Sequence, residues 1–60
     1  MKKYIIKCEV KFGIDDTYVV EYSGVWHDNE DDAYKELKKA LAQGKKVNDF
    51  IDAWVDSNED

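Results

Sequence analysis

The residues with the clearest chemical pattern lie in the last fourteen positions of the chain, 47–60. Apolar residues recur there at helical spacing, at Val47, Phe50, Ile51, Trp54 and Val55. On a helical wheel they gather on one side, and the acids between them form a stripe on the other. The stripe contains Asp49, Asp52, Asp56, Glu59 and Asp60. The pattern predicts an amphipathic helix at about 47–57 that presents a row of negative charge.

A row of this kind could imitate the charge of a nucleic acid. Carboxylates three or four residues apart on a helix stand roughly 4.5 to 6 Å apart along its axis. A DNA duplex is a comparably dense line of negative charge. A second acidic group, Asp28, Glu30, Asp31 and Asp32, could continue the row. One hypothesis is that these acids bind the basic groove of a nucleic-acid-binding protein. The alternative is a solvated face that only keeps the chain in solution.

Residues with catalytic potential lack the partners that catalysis needs. His27 stands beside Asp28, but no serine or cysteine nucleophile lies near it in the sequence, so we expect a solvated loop histidine. Cys8 lies between Ile6 and Val10 in an apolar run, which favours a small buried side chain over a reactive thiol. The sequence therefore predicts a protein that is not an enzyme.

The carboxylates also give little support for a metal site. The pairs Asp15-Asp16 and Asp31-Asp32 offer oxygen ligands, but neither has the spacing of an EF-hand loop. A structural zinc site wants about four cysteine or histidine ligands, and the chain has one of each. We expect no metal and no cofactor.

The first element that must position these groups is a β-hairpin. Polar and apolar residues alternate over about 3–12, which predicts a strand with one buried face. A turn with glycine and paired aspartates follows, and a second strand is expected at about 17–23. Tyr18, Val20 and Tyr22 should lie under the helices, while Ile5 and Val19 should be partly exposed on the other face.

A helix is predicted at about 29–43. Apolar residues recur at helical spacing, at Ala33, Tyr34, Leu37, Ala40 and Leu41. Asp28 or Asn29 can cap the first turn, and Gly44 is a natural residue to follow the last one. The expected fold is a single α+β domain, 1–60, in which a two-stranded antiparallel hairpin is followed by two helices packed on one face.

Such a fold predicts association. A lone two-stranded sheet is marginally stable, and pairing of the first strand's free edge across a two-fold axis would complete it as a homodimer. An alternative dimer would use the second helix and Trp54. Trp54 is expected in the core, whereas Trp26 lies in a connection and fits either the core or a contact with a partner.

The composition of the chain restricts the kinds of partner that it is expected to bind. The net charge is −5 and the chain has no arginine, which argues against direct binding of nucleic acid. No signal peptide or membrane-spanning segment is evident, so we expect a cytoplasmic protein that does not bind a membrane. In size and composition the chain resembles small accessory proteins of phages and mobile elements, including inhibitors of host nucleases and defence proteins.

Two functional hypotheses follow. The first is a non-catalytic acidic protein that inhibits or modulates a protein partner by imitating nucleic-acid charge. The second is a structural or regulatory homodimeric module in which a tryptophan surface binds a protein and the acids only aid solubility. The residues expected to contact a partner are Asp49, Asp52, Asp56, Glu59, Trp26, Asp28, Glu30 and Asp31.

Overall fold

Three antiparallel strands and one helix make up the chain in a computed structural model, which describes residues 2–59. The elements are β1 (Lys2–Phe12), β2 (Asp16–Glu21), α1 (Glu30–Gly44) and β3 (Phe50–Glu59). The sheet order is β2-β1-β3, and α1 packs on one face against β1 and β3. The predicted fold of a two-stranded hairpin followed by two helices is wrong, because the segment expected to form the second helix is the third strand.

The hairpin of β1 and β2 lies where the alternating sequence predicted it. The two strands pair in one unbroken register, with Cys8 opposite Val20 and Val10 opposite Tyr18. Gly13 opens the connecting turn with a φ of +72°, a left-handed conformation that glycine adopts without steric cost. Because side chains alternate between the faces of a strand, the even-numbered residues of β1 lie beneath α1.

The helix begins at a capped turn. The side chain of Asn29 accepts a hydrogen bond of 2.9 Å from the backbone N–H of Asp32, and Asn29 itself is extended. Glu30, Asp31 and Asp32 occupy the first turn, where the helix dipole favours negative charge. Two predicted contact residues, Glu30 and Asp31, therefore have a structural reason to be acidic.

β3 follows α1 after a short turn and alternates between the two faces of the sheet. Ala53 and Val55 face the helix, and Asp52, Trp54 and Asp56 face the opposite way. The register shifts between Glu9 and Val10, which leaves Ile51 as an extra residue in a β-bulge. The bulge interrupts the period of two and leaves apolar residues at spacings that resemble a helix.

The core lies between α1 and the sheet, and small helix residues allow the two to approach closely. Ile6, Cys8, Ala33, Ala40 and Ala53 form its buried centre. Ile6 is the only large member with no exposed surface among the described residues. With so few buried side chains, each one carries a large share of the stability.

The far face, by which we mean the face of the sheet away from α1, is also partly covered. Ile5 lies on it and has an exposure of 0%, so the expected partial exposure of Ile5 is wrong. On β3 it lies opposite Asp56, with Trp54 next along the strand on the same face. Trp54 was expected in the core on a helical stripe, but it is a half-buried residue of the far face.

The connection from β2 to α1 adds a short third partner to β1. Tyr4 and His27 exchange two backbone hydrogen bonds of 2.9 and 2.7 Å, on the side of β1 that β2 occupies further along. This antiparallel register places Trp26 beside Ile5 on the far face. β1 is therefore central and paired on both sides, so the free edge expected for it does not exist, while homodimer formation itself stays a prediction.

Candidate functional site

The predicted acidic stripe does not form a single row. Asp49 lies in the turn before β3, Asp52 and Asp56 lie on the far face, and Glu59 is the last residue of β3. On a strand, residues 52 and 56 are separated by about 13 Å, against roughly 6 Å on a helix. Asp60 lies outside the described residues. The spacing that suggested a nucleic-acid backbone is therefore absent from β3.

Lysines of β1 pair with several of these acids. Lys7 Nζ lies 3.2 Å from Asp56 Oδ2, Lys3 Nζ lies 3.4 Å from Asp28 Oδ1, and Lys2 Nζ lies 4.0 Å from Glu59 Oε1. Exposed pairs of this kind contribute little to stability, because water and salt screen them. They matter more for the surface, because they neutralise three of the eight residues expected to contact a partner.

Asp56 provides a pH-dependent test of this arrangement. The hydrogen bond from Lys7, together with that from the backbone N–H of Ser57, holds the pKa of Asp56 below its ordinary value. A depressed folded-state pKa adds stability that is present above the unfolded pKa and lost as pH falls through the folded one. We expect the stability difference between wild type and Asp56→Asn to be constant above about pH 5 and to shrink below about pH 4.

The measurement is urea unfolding at a series of pH values from neutral to acidic. Asp15→Asn, in the turn between β1 and β2, is the control for loss of one carboxylate, since Asp15 joins no ion pair within residues 2–59. An Asp56→Asn difference that stays flat to low pH would show that the ion pair with Lys7 does not form.

One apolar part of the sheet is left uncovered by α1. Within the described residues α1 packs against β1 and β3 but not against β2, so the helix side of β2 and of the adjoining end of β1 is only partly covered. We call this the open face, defined by Val10, Phe12, Tyr18 and Val20 together with Val47. Phe12 is 64% exposed and Tyr18 48%, and their rings meet edge to face with centroids 5.7 Å apart.

The open face deepens into a groove beside α1. The groove has a volume of about 220 Å³. Its lining residues are Cys8, Val10, Val20, Tyr22, Ala40, Gln43, Gly44, Val47 and Phe50. The Tyr22 hydroxyl donates to Oε1 of Gln43 and ties the chain after β2 to the helix at the groove. The rest of the lining is almost entirely apolar, which is the usual character of a binding groove.

Sequence reasoning missed this site because it expected a second helix to cover it. Tyr18, Val20 and Tyr22 do face the helix side, as predicted, but Tyr18 and Val20 stay exposed because one helix cannot cover three strands. One feature of the sequence could have indicated an exposed apolar surface near the turn between β1 and β2. Ile14 stands in a turn of glycine and aspartates, and it is 90% exposed at the end of the molecule nearest the open face.

The remaining candidate residues take structural positions. Trp26 is 42% exposed beside the far face, so it stays available for contact. His27 is half-buried, not a solvated loop residue, with Nε2 3.1 Å from Glu36 Oε1. Burial raises the pKa of the Cys8 thiol, which keeps it protonated and weakly nucleophilic.

Metal-binding groups, membrane-spanning helices and related proteins do not identify the function of this chain. Residues 2–59 contain no group of three histidine, cysteine or carboxylate side chains placed to hold a metal ion. In the same part of the chain, no helix is long and apolar enough to span a membrane. Comparison of the chain with models of protein families, with curated proteins and with solved structures finds no match.

Proposed function

We propose that this chain is a small non-catalytic binding domain that engages another protein through the open face. The observation that carries the proposal is the exposure of large apolar side chains on one continuous surface, from Phe12 and Tyr18 to Val20 and Val47. Small folded proteins rarely expose such patches unless they bind something there. Aromatic side chains at the centre of such a surface are typical of residues that dominate binding energy.

The total surface of the chain supports the same proposal. The chain exposes 4554 Å². A folded monomer of 7.0 kDa is expected to expose about 4,000 Å². The excess of roughly 500 Å² matches a sheet that has been left half covered. A partner on the open face would remove that excess from water.

Charge imitation is the weaker of the two hypotheses. It rested on acids spaced along a helix, and β3 instead separates them and sets Asp56 against Lys7. The net charge of −5 still favours a basic partner over an acidic one. We therefore assign the affinity to the apolar open face and give the acids only a minor effect on the choice of partner, besides keeping the chain in solution.

A matched set of surface variants tests the proposal. Val20→Lys places a charge in the groove, and Thr17→Lys places the same charge on the same strand but on the far face. The third variant replaces Asp49, Asp52 and Asp56 with asparagine. We expect capture of partners from host cytoplasm, quantified by mass spectrometry, to fall at least tenfold for Val20→Lys and to change little for the others, since a charge buried without a partner costs far more than a lost surface charge.

Circular dichroism of each variant controls for loss of the fold. The opposite result would favour charge imitation: capture that survives Val20→Lys, disappears with the asparagine variant and weakens steeply as salt is added. In that case the open face would not be the binding surface.

A further inference from the structure

One edge of the sheet is unprotected. Tyr22 N–H donates to the Ile6 carbonyl, so Tyr22, Val20 and Tyr18 turn their backbone groups toward β1. Residues 17, 19 and 21 must then turn theirs outward, to the free edge of β2. Natural sheets protect such edges with charged side chains, lysine above all, with proline or with a bulge. β2 has no lysine, proline or bulge, and its two charged residues, Asp16 and Glu21, stand at its ends and leave residues 17–20 uncharged.

The other free edge, that of β3, is protected. The bulge at Ile51 bends it, and Asp52, Asp56 and Glu59 distribute charge along its length. The edge of β2 is the remaining apolar element that can add a strand.

We propose that a second copy of this chain pairs with β2 edge to edge, antiparallel, about a two-fold axis at Val19. This register joins residues 17–21 of the two copies and uses all three outward-facing residues in backbone hydrogen bonds. It sets Tyr18 opposite Val20 of the second copy, an apolar cross-strand pair, and Thr17 opposite Glu21. An axis at Tyr18 instead would set the carboxylate of Asp16 opposite Val20.

The dimer deepens the function proposed above, on which its biological role rests. Pairing at β2 makes a sheet of six strands with α1 of each copy near its two ends. The two open faces then adjoin across the axis, so the dimer presents them as one larger docking surface. The contact joins about five residues of each copy, against roughly 20–30 residues a side in a standard interface. The association is therefore expected to be weak.

The net charge of the chain determines how self-association depends on salt. Two copies of a chain with a net charge of −5 repel each other, and added salt screens that repulsion. Self-association should therefore strengthen with salt, whereas binding of a basic partner by the acids should weaken. The two effects have opposite signs and can be told apart.

Cross-linking tests the register. In the proposed dimer the two copies of residue 19 form a hydrogen-bonded pair with Cα atoms about 5.5 Å apart, within disulfide range. The two copies of residue 17 are about 14 Å apart, beyond it. We expect Val19→Cys to form a covalent dimer under mild oxidation at least tenfold faster than Thr17→Cys. Cys8 is buried and present in both variants, so it does not bias the comparison.

Light scattering supplies a second readout without an introduced thiol. The wild-type mass should rise from 7.0 kDa toward twice that value as concentration increases from micromolar to millimolar. Val19→Pro removes one outward N–H and should stay at the mass of one chain, while Ser57→Pro, on the free edge of β3, should still dimerise. A wild type that stays monomeric, or equal cross-linking of the two cysteine variants, overturns the dimer. Capture that survives Val20→Lys overturns the binding function separately.

Discussion

Replacing Ile5 with alanine should destabilise the fold by about 2–5 kcal/mol, as much as the same replacement at Ile6. Both side chains have an exposure of 0%, although they lie on opposite faces of β1. Each substitution deletes three buried carbon atoms and leaves a cavity that a sheet of fixed register cannot close. The comparison therefore measures whether the far face is a second packed layer.

Equilibrium urea unfolding provides the measurement. A domain of 60 residues is expected to have only about 3–9 kcal/mol of total stability, so the alanine variants can be largely unfolded. Ile5→Val and Ile6→Val, at about 0.5–1.5 kcal/mol each, keep the comparison within range. Val19→Ala is the control, because Val19 lies on the far face and is 52% exposed. A loss at Ile5 no larger than that at Val19 would show that the far face is bare, as the two-stranded prediction required.

The alternating and helical segments could be read from the sequence because each carries one uninterrupted period. In β1 the period of two holds from Tyr4 to Phe12, and in α1 the stripe from Ala33 to Leu41 fits one helix face. A capping residue and a turn glycine mark their ends. Local chemistry alone therefore determines these elements.

β3 could not be recognised in the same way, because its pattern depends on a contact distant in sequence. The bulge at Ile51 arises only when β3 pairs with β1, and it sets apolar residues at the spacing of a helix. Two features did favour a strand. Acids at the end of a helix oppose its dipole, whereas a strand has no such cost. A block of lysines in β1 also matches the block of acids in β3, as Lys7 and Asp56 show.

The open face could not be predicted for a related reason. Its residues were expected on the helix side, and Tyr18 and Val20 do lie there. Whether such residues are core or surface depends on how many helices cover the sheet, and that number followed from the assignment of residues 47–57. The error in one element therefore turned an exposed apolar surface into an expected core. It also directed the functional prediction to seven acids, three of which pair with lysines of β1.

Gly44→Ala should destabilise the protein by about 1–3 kcal/mol, although alanine is the better helix former by about 1 kcal/mol. Gly44 ends α1, and the expected reason for a glycine there was a left-handed backbone beyond the last turn. Positive φ values among the described glycines belong to Gly13 and Gly24 instead. At Gly44 an added Cβ would lie 2.5 Å from Cδ2 of the Phe50 ring, so the ring or the helix end must move.

Two further variants distinguish the contact between residue 44 and the Phe50 ring from strain in the backbone. Gly13→Ala meets no atom within 4 Å but must adopt a φ of +72°, so its cost of roughly 1 kcal/mol measures conformation alone. Phe50→Leu removes the ring, and the loss from Gly44→Ala should largely disappear in that background, a coupling that a double-mutant cycle reports directly. Because Phe50 also lines the groove, the shifted ring should also alter the binding that we propose for the open face. A stabilising Gly44→Ala would mean that helix propensity decides this position and that Phe50 does not pack against the end of α1.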